Sequence, residues 1–80
     1  MGKMKGVVRI ATANKETVMD ILKLQEDFTM INIRIDVSYG RMFDTMVDYR
    51  NLTGLGLREF LKRFREVINK HDMWKLIRES

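Results

Sequence analysis

The chain has no cysteine, no proline, one histidine and one tryptophan among its 80 residues. Because cysteine is missing, neither a disulfide nor a thiolate-bound metal can stabilise the fold. No apolar run approaches the roughly 20 residues that a transmembrane helix needs. The basic start, Met1–Lys5, is followed by a strand-like segment rather than by the apolar stretch of a signal peptide. We therefore expect a cytoplasmic protein with no membrane partner.

The residues of a self-contained catalytic site are also missing. His71 is the only histidine, so neither a Cys/His pair nor a nitrogen-rich metal cluster can be built. Asp36, Asp44 and Asp48 fall on one predicted strand face, but they lack the loop-like spacing of a Ca²⁺ or Mg²⁺ site. We expect no enzyme, no cofactor and no metal. We interpret His71 as a residue near a helix end that hydrogen-bonds nearby carbonyl groups.

What the chain does contain is typical of a single folded domain over residues 1–80. Apolar residues make up 45% and charged residues 32% of the sequence, which argues against disorder. A chain this short buries only about 60% of its unfolded surface, so its core is thin. Burial against a second copy is one way to support such a core. The net charge of +4 also makes nucleic acid a partner to consider.

Periodic patterns divide the first part of the chain into four elements. Residues 6–11 are rich in β-branched side chains and predict a strand. Thr12 or Asn14 then caps a helix that runs to about Phe28. Residues 31–38 and 42–49 alternate apolar and polar side chains, which predicts two strands with one buried face each.

The loop between these two strands determines their register. A three-residue loop, 39–41, pairs Ile35 with Thr45 and matches the apolar face of one strand to the apolar face of the other. A two-residue loop would instead set the apolar face of the first strand opposite Asp44 and Asp48. Because a one-residue slip exchanges the faces, we predict the odd-numbered loop.

A second amphipathic helix and a last strand complete the predicted fold. Residues 51–56 predict a connection, and the helix follows from Leu57. It is expected to end within residues 69–72, because the apolar residues beyond would otherwise face solvent. Met73–Ile77 then forms a short strand, and the order β-α-β-β-α-β predicts a ferredoxin-like α+β sandwich, with two helices on one face of a four-stranded antiparallel sheet. The alternative is a long or broken C-terminal helix over three strands.

One face of the predicted sheet carries no helix. Its large apolar groups are Met42 and Met46, to which the last strand adds Trp74 and Ile77. A contiguous apolar patch of this kind marks an interaction surface. We therefore expect a homodimer, formed through this face or through the edge of the sheet, with these four residues in the interface.

The order of elements and several local sequences resemble those of small regulatory domains. Val7–Ile10 leads into Lys15–Met19 of the first helix, the turn residue Gly40 is followed by Asp44, and Leu57–Phe60 opens the second helix. In these features the chain is similar to ACT domains and to the effector domains of leucine-responsive transcription regulators. The resemblance implies a dimeric, non-enzymatic regulatory module that binds a small effector such as an amino acid.

The effector pocket that this resemblance implies has two parts. One part is the turn between the first strand and the first helix, with Thr12 and Asn14. The other part is the hairpin, with Gly40 and Asp44. We predict these four residues as ligand-binding.

A nucleic-acid-binding domain is the alternative function. It would use Arg9 and Arg34 on the sheet face and Lys62 and Arg63 on the second helix. The RNA-binding version of this fold stacks bases on aromatic side chains of its central strands. The corresponding positions here hold residues such as Met46, so the sequence predicts no stacking platform and favours the regulatory module.

Overall fold

The computed structural model describes residues 6–38, 40–71 and 77–79 and has the α+β class that the sequence predicts. The elements in chain order are β1 (Val7–Thr12), α1 (Lys15–Asp27), β2 (Asn32–Ser38), β3 (Met42–Asp48), α2 (Gly54–His71) and β4 (Ile77–Glu79). The strands form one antiparallel sheet in the order β2-β3-β1-β4.

The prediction of a ferredoxin-like sandwich with a four-stranded antiparallel sheet is wrong, because the body of the sheet has three strands. Three strands of six or seven residues, β1, β3 and β2, form the body of the sheet. Within the described residues, the strand beside β1 is the three-residue β4, which begins at Ile77, where the predicted strand Met73–Ile77 was expected to end. An edge strand is held by backbone hydrogen bonds and tolerates charged side chains. A search for apolar residues therefore could not identify Ile77–Glu79 as the last strand.

The end of α2 agrees with the prediction, whereas its start lies earlier in the chain than predicted. The helix ends at His71, inside the predicted range 69–72. It begins at Gly54, within the segment predicted as a connection, and the Leu57 amide donates to the Thr53 carbonyl at 3.3 Å. The low helix propensity of glycine suggested a loop there. The packing of the apolar face of α2 into the core outweighs that propensity. Residues 72–76, on which the rest of the predicted last strand and of the alternative long helix falls, lie outside the described residues.

The hairpin register is confirmed. Ile35 lies opposite Thr45 and Ser38 lies opposite Met42, so the loop has three residues, 39–41. Gly40 takes a φ of +73°, a conformation that glycine adopts without steric cost. This register places the apolar residues of both strands on the side of the sheet that packs against α1 and α2.

The start of α1 also follows the prediction. Asn14 is the N-cap, and its side-chain oxygen accepts a hydrogen bond from the Glu16 amide at 2.9 Å. The Thr12 hydroxyl accepts from the Asn14 amide at 3.0 Å, which fixes the turn that leads out of β1. Both side chains are therefore engaged in forming the strand–helix turn.

The core lies between the sheet and the two helices and is centred on aromatic rings. Phe60 of α2 is fully buried, and its ring centroid lies 5.5 Å from that of Phe28, 5.1 Å from Tyr49 and 5.7 Å from Phe64. The other apolar members of this core are Val8, Ile10, Ile21, Leu24, Ile31, Val47 and Ile68. One layer of apolar side chains thus joins sheet and helices.

A buried hydroxyl interrupts this apolar layer at Thr45, between Ile10 on β1 and Ile35 on β2. The residue has no exposed surface, and its Oγ1 has no hydrogen-bond partner among the described residues. Replacing Thr45 by valine is expected to raise the free energy of unfolding by about 1 kcal/mol, because an unsatisfied buried hydroxyl is removed at nearly constant shape.

Urea denaturation would measure this change, with Thr45→Ala as the control. Alanine also removes the hydroxyl but deletes a methyl group, so it should not share the gain. A valine variant less stable than the parent would mean that the hydroxyl has a partner that stabilises the fold.

Neither helix in the described ranges is both long and apolar enough to cross a membrane.

Candidate functional site

Four charged side chains on the sheet face that α1 and α2 leave uncovered form two neighbouring rows. Strand pairing places Met46 between Arg9 and Arg34, which makes a basic row across the three long strands. The next row is acidic, because Asp44 on β3 lies opposite Asp36 on β2. Positive and negative side chains therefore lie next to each other on this face.

The cavity between these two rows is too small for an organic effector. Its volume is about 60 Å³, and it is lined by the four charged residues and Met46. Small-molecule pockets usually measure roughly 300–1,000 Å³. Where the structure describes it, the uncovered face therefore offers a surface for contact, and this cavity is too small to serve as such a pocket.

The four residues predicted to bind an effector do not lie on one side of the sheet. Thr12 is buried on the helix side of the sheet, and its Cα partner on β3 is Phe43. Asp44, one residue further along β3, lies on the opposite, uncovered face. Asn14 is occupied as the cap of α1, and Gly40 lies in the exposed hairpin turn. A single copy does not bring them together in one site.

Two of the four predicted interface residues belong to the uncovered face. Met42 is 37% exposed, and Met46 is half-buried between the two arginines. Ile77 starts β4, with Ile10 as its Cα partner. Trp74 lies outside the described residues.

The basic residues of the alternative function do not share one surface. Arg9 and Arg34 lie on the uncovered face, whereas Lys62 and Arg63 belong to α2 in the helix layer. Arg63 is also engaged by α1, since its Nη2 lies 2.8 Å from an Asp27 carboxylate oxygen. The four positions are therefore divided between the sheet face and the helix layer.

The free edge of β2 is a feature that the sequence analysis did not single out. Among the described strands, β2 is the last of the sheet at this end, and it pairs with β3 without interruption from Asn32 to Ser38. Val37, near the end of β2, is 57% exposed although its side chain belongs to the apolar side of the strand. The sequence analysis named the edge of the sheet as a possible interface but did not say which strand forms it.

An open apolar groove on the helix layer was also missed. It has a volume of about 740 Å³ and lies where the end of α1 meets the start of α2, next to Phe28. Met30 and Leu55 on its rim are 55% and 80% exposed. None of the residues predicted to bind a ligand lines it.

A cluster of charged side chains joins the two helices. His71 Nε2 lies 2.7 Å and Lys70 Nζ lies 3.1 Å from the same oxygen of Asp20, and Lys23 Nζ lies 3.8 Å from the other. The hydrogen bond from His71, followed by that from Lys70, lowers the pKa of the Asp20 carboxyl below its usual value. His71 is therefore a helix-end residue, as predicted, but its partner is a carboxylate rather than a carbonyl group.

Acid should weaken this connection between the helices. Because the pKa of Asp20 is lower in the folded chain than in the unfolded one, its contribution is fully present above the usual aspartate pKa. That contribution is lost as the pH falls below about 4 and passes through the lower pKa that Asp20 has in the folded chain. We expect Asp20→Asn to cost on the order of 1 kcal/mol at neutral pH and much less at acid pH.

The measurement is the free energy of unfolding of both proteins in urea at neutral and acid pH. The pKa of Asp48 is also lowered, by hydrogen bonds from Arg50. Asp48 is present in the parent and in the variant, so its effect on the pH dependence of stability cancels in their difference. An equal difference in stability at the two pH values would contradict the assignment.

No protein family, no curated protein and no solved structure matches this chain. The site is therefore interpreted from its own geometry.

Proposed function

We propose that this chain is a non-enzymatic regulatory or assembly module that forms a homodimer through its sheet. The observation that carries the proposal is the one-sided packing of the domain. Both helices cover the same side, so the sheet keeps an uncovered face and, among the described strands, a free outer edge along β2. A self-associating surface must complement itself, and a face with adjacent basic and acidic rows meets that requirement.

The exposed apolar groups around the sheet support the same proposal. Met42 on the uncovered face and Val37 on the free edge leave 37% and 57% of their surface in water. Covering them with a second copy would add apolar burial to a chain whose own core is a single layer.

Self-association predicts that stability depends on protein concentration. The midpoint of thermal unfolding should rise as the protein is concentrated, because mass action favours the associated folded state. A Val37→Asp/Met46→Asp double variant places charge on both uncovered parts of the sheet. Its midpoint should be independent of concentration.

The matched control is Met19→Asp/Leu55→Asp, which places the same charges on the helices. Both residues are exposed, at 58% and 80%, and neither belongs to the sheet. This control should keep the concentration dependence of the parent protein. A parent midpoint that stays constant over the whole concentration range would refute the proposal.

A further inference from the structure

We infer that two copies pair edge to edge through β2, antiparallel, with Ile35 of one copy opposite Ile35 of the other. This inference rests on the proposed self-association and assigns it to one surface and one register. The result is a sheet that continues from one copy into the next across a two-fold axis.

Of the features that usually prevent such pairing, the free edge of β2 has charged side chains but no proline, no bulge and no short strand. It has seven residues, its register with β3 contains no bulge, and the chain has no proline to interrupt it. An uninterrupted edge of this length exposes a row of backbone N–H and C=O groups to a second strand. Backbone pairing therefore needs no rearrangement of the described strands.

The charged side chains of β2 select a single register. With Ile35 opposite itself, Arg34 of each copy lies directly opposite Asp36 of the other, so two opposite-charge pairs form. A slip of two residues in one direction sets Arg34 opposite Arg34, and in the other direction Asp36 opposite Asp36. Like charges in directly opposed positions are destabilising.

The apolar side chains of β2 agree with this register. Ile33 of each copy lies opposite Val37 of the other, on the side of the sheet that carries the helices. Val37 is the most exposed apolar residue of the strand, at 57%, and would be covered by this pair. A slip of one residue would set an apolar side chain opposite a charged one and exchange the faces of the two sheets.

The uncovered face is a weaker candidate for the contact. It offers Met42 and Met46 as large apolar groups among four charged side chains. Packing two such faces together would remove those charges from water, which is costly unless every one finds a partner. The edge instead leaves Arg34 and Asp36 at the rim of the sheet face, where water still reaches them.

The register is tested by exchanging charges. Arg34→Asp alone sets Asp opposite Asp36 at two places, and Asp36→Arg alone sets Arg opposite Arg34 at two places. Each single variant should weaken the dimer by roughly tenfold to a hundredfold. An equimolar mixture of the two should restore a one-to-one dimer, because every opposed pair in the mixed species is again Asp with Arg.

General charge attraction would not explain that rescue. The parent carries a net charge of +4 and each substitution changes it by two, so both variants stay positive and repel each other overall. Circular dichroism on each single variant would establish that it is folded. A mixture that remains monomeric would overturn the assigned register.

A second pair of variants separates the edge from the face. Val37→Asp charges the helix side of the edge strand, and Met46→Asp charges the middle of the uncovered face. Sedimentation of both should show that Val37→Asp weakens the dimer and Met46→Asp leaves it intact. The opposite result would overturn the edge contact while leaving self-association through the sheet in place. A parent protein that is monomeric throughout would overturn both.

Discussion

Replacing Phe60 by alanine is expected to remove most of the stability of the fold. Phe60 has no exposed surface, and its ring contacts those of Phe28, Tyr49 and Phe64 from the centre of the core. Truncating a buried phenylalanine to alanine costs about 3–5 kcal/mol through lost burial and the cavity left behind. A domain of this size has a total stability of about 4–12 kcal/mol.

Urea denaturation followed by circular dichroism measures this loss as a lower transition midpoint, or as the absence of a folded baseline. Leu55→Ala is the matched control, because Leu55 lies on the same helix and is 80% exposed. The control should change stability by less than about 0.5 kcal/mol. A Phe60 variant as stable as the control would contradict the assignment of the core.

Gly6→Ala is expected to destabilise the chain by about 1–3 kcal/mol. Gly6 has a φ of +107°, which residues with a side chain rarely adopt, and a Cβ there would lie 2.5 Å from Arg50 Cγ. Arg50 cannot move aside freely, since its guanidinium and amide both bond to the Asp48 carboxylate, at distances from 2.7 to 3.1 Å. The Gly6 carbonyl also accepts from the Tyr49 amide at 2.7 Å, so a shift of this turn would disturb the start of β1.

Gly56→Ala is a control with the opposite sign. Gly56 lies inside α2, and a Cβ there would meet no atom within 4 Å. Alanine is favoured over glycine in a helix by about 0.5–1 kcal/mol, so this variant should be more stable than the parent. If both substitutions changed stability alike, the positive φ of Gly6 and its close approach to Arg50 would be contradicted.

Local patterns were sufficient to predict the hairpin and the first helix. The alternation in residues 31–38 and the position of Gly40 led to the observed three-residue loop. Thr12 and Asn14 were the two predicted caps, because an amide or hydroxyl oxygen is needed where the first helical N–H groups are free, and Asn14 is the one observed. Each of these features depends on residues close together in the sequence.

The last strand and the start of α2 depend on interactions that are not local. β4 is placed by its pairing with β1, about 70 residues earlier in the chain, rather than by its own apolar content. The helix starts at Gly54 because Phe60 and Phe64 are fixed in the core, which propensity alone does not reveal.

The candidate site shows the same division. The residues of the uncovered face followed from strand alternation and were predicted, including Arg34 and Asp44. That Thr12 points inward was also readable, since it lies two residues after Ile10 on the same side of β1. The pairing of Arg63 with Asp27 was not readable, because it joins two helices whose contact is set by the whole fold.

The most direct test of self-association is the molar mass of the parent protein in solution, measured by light scattering over a dilution series. One copy has a mass of 9.5 kDa. Self-association predicts twice that mass at high concentration and a gradual fall towards the mass of a single copy on dilution. A mass of 9.5 kDa at every concentration would contradict it, and the free edge of β2 would then need a different partner.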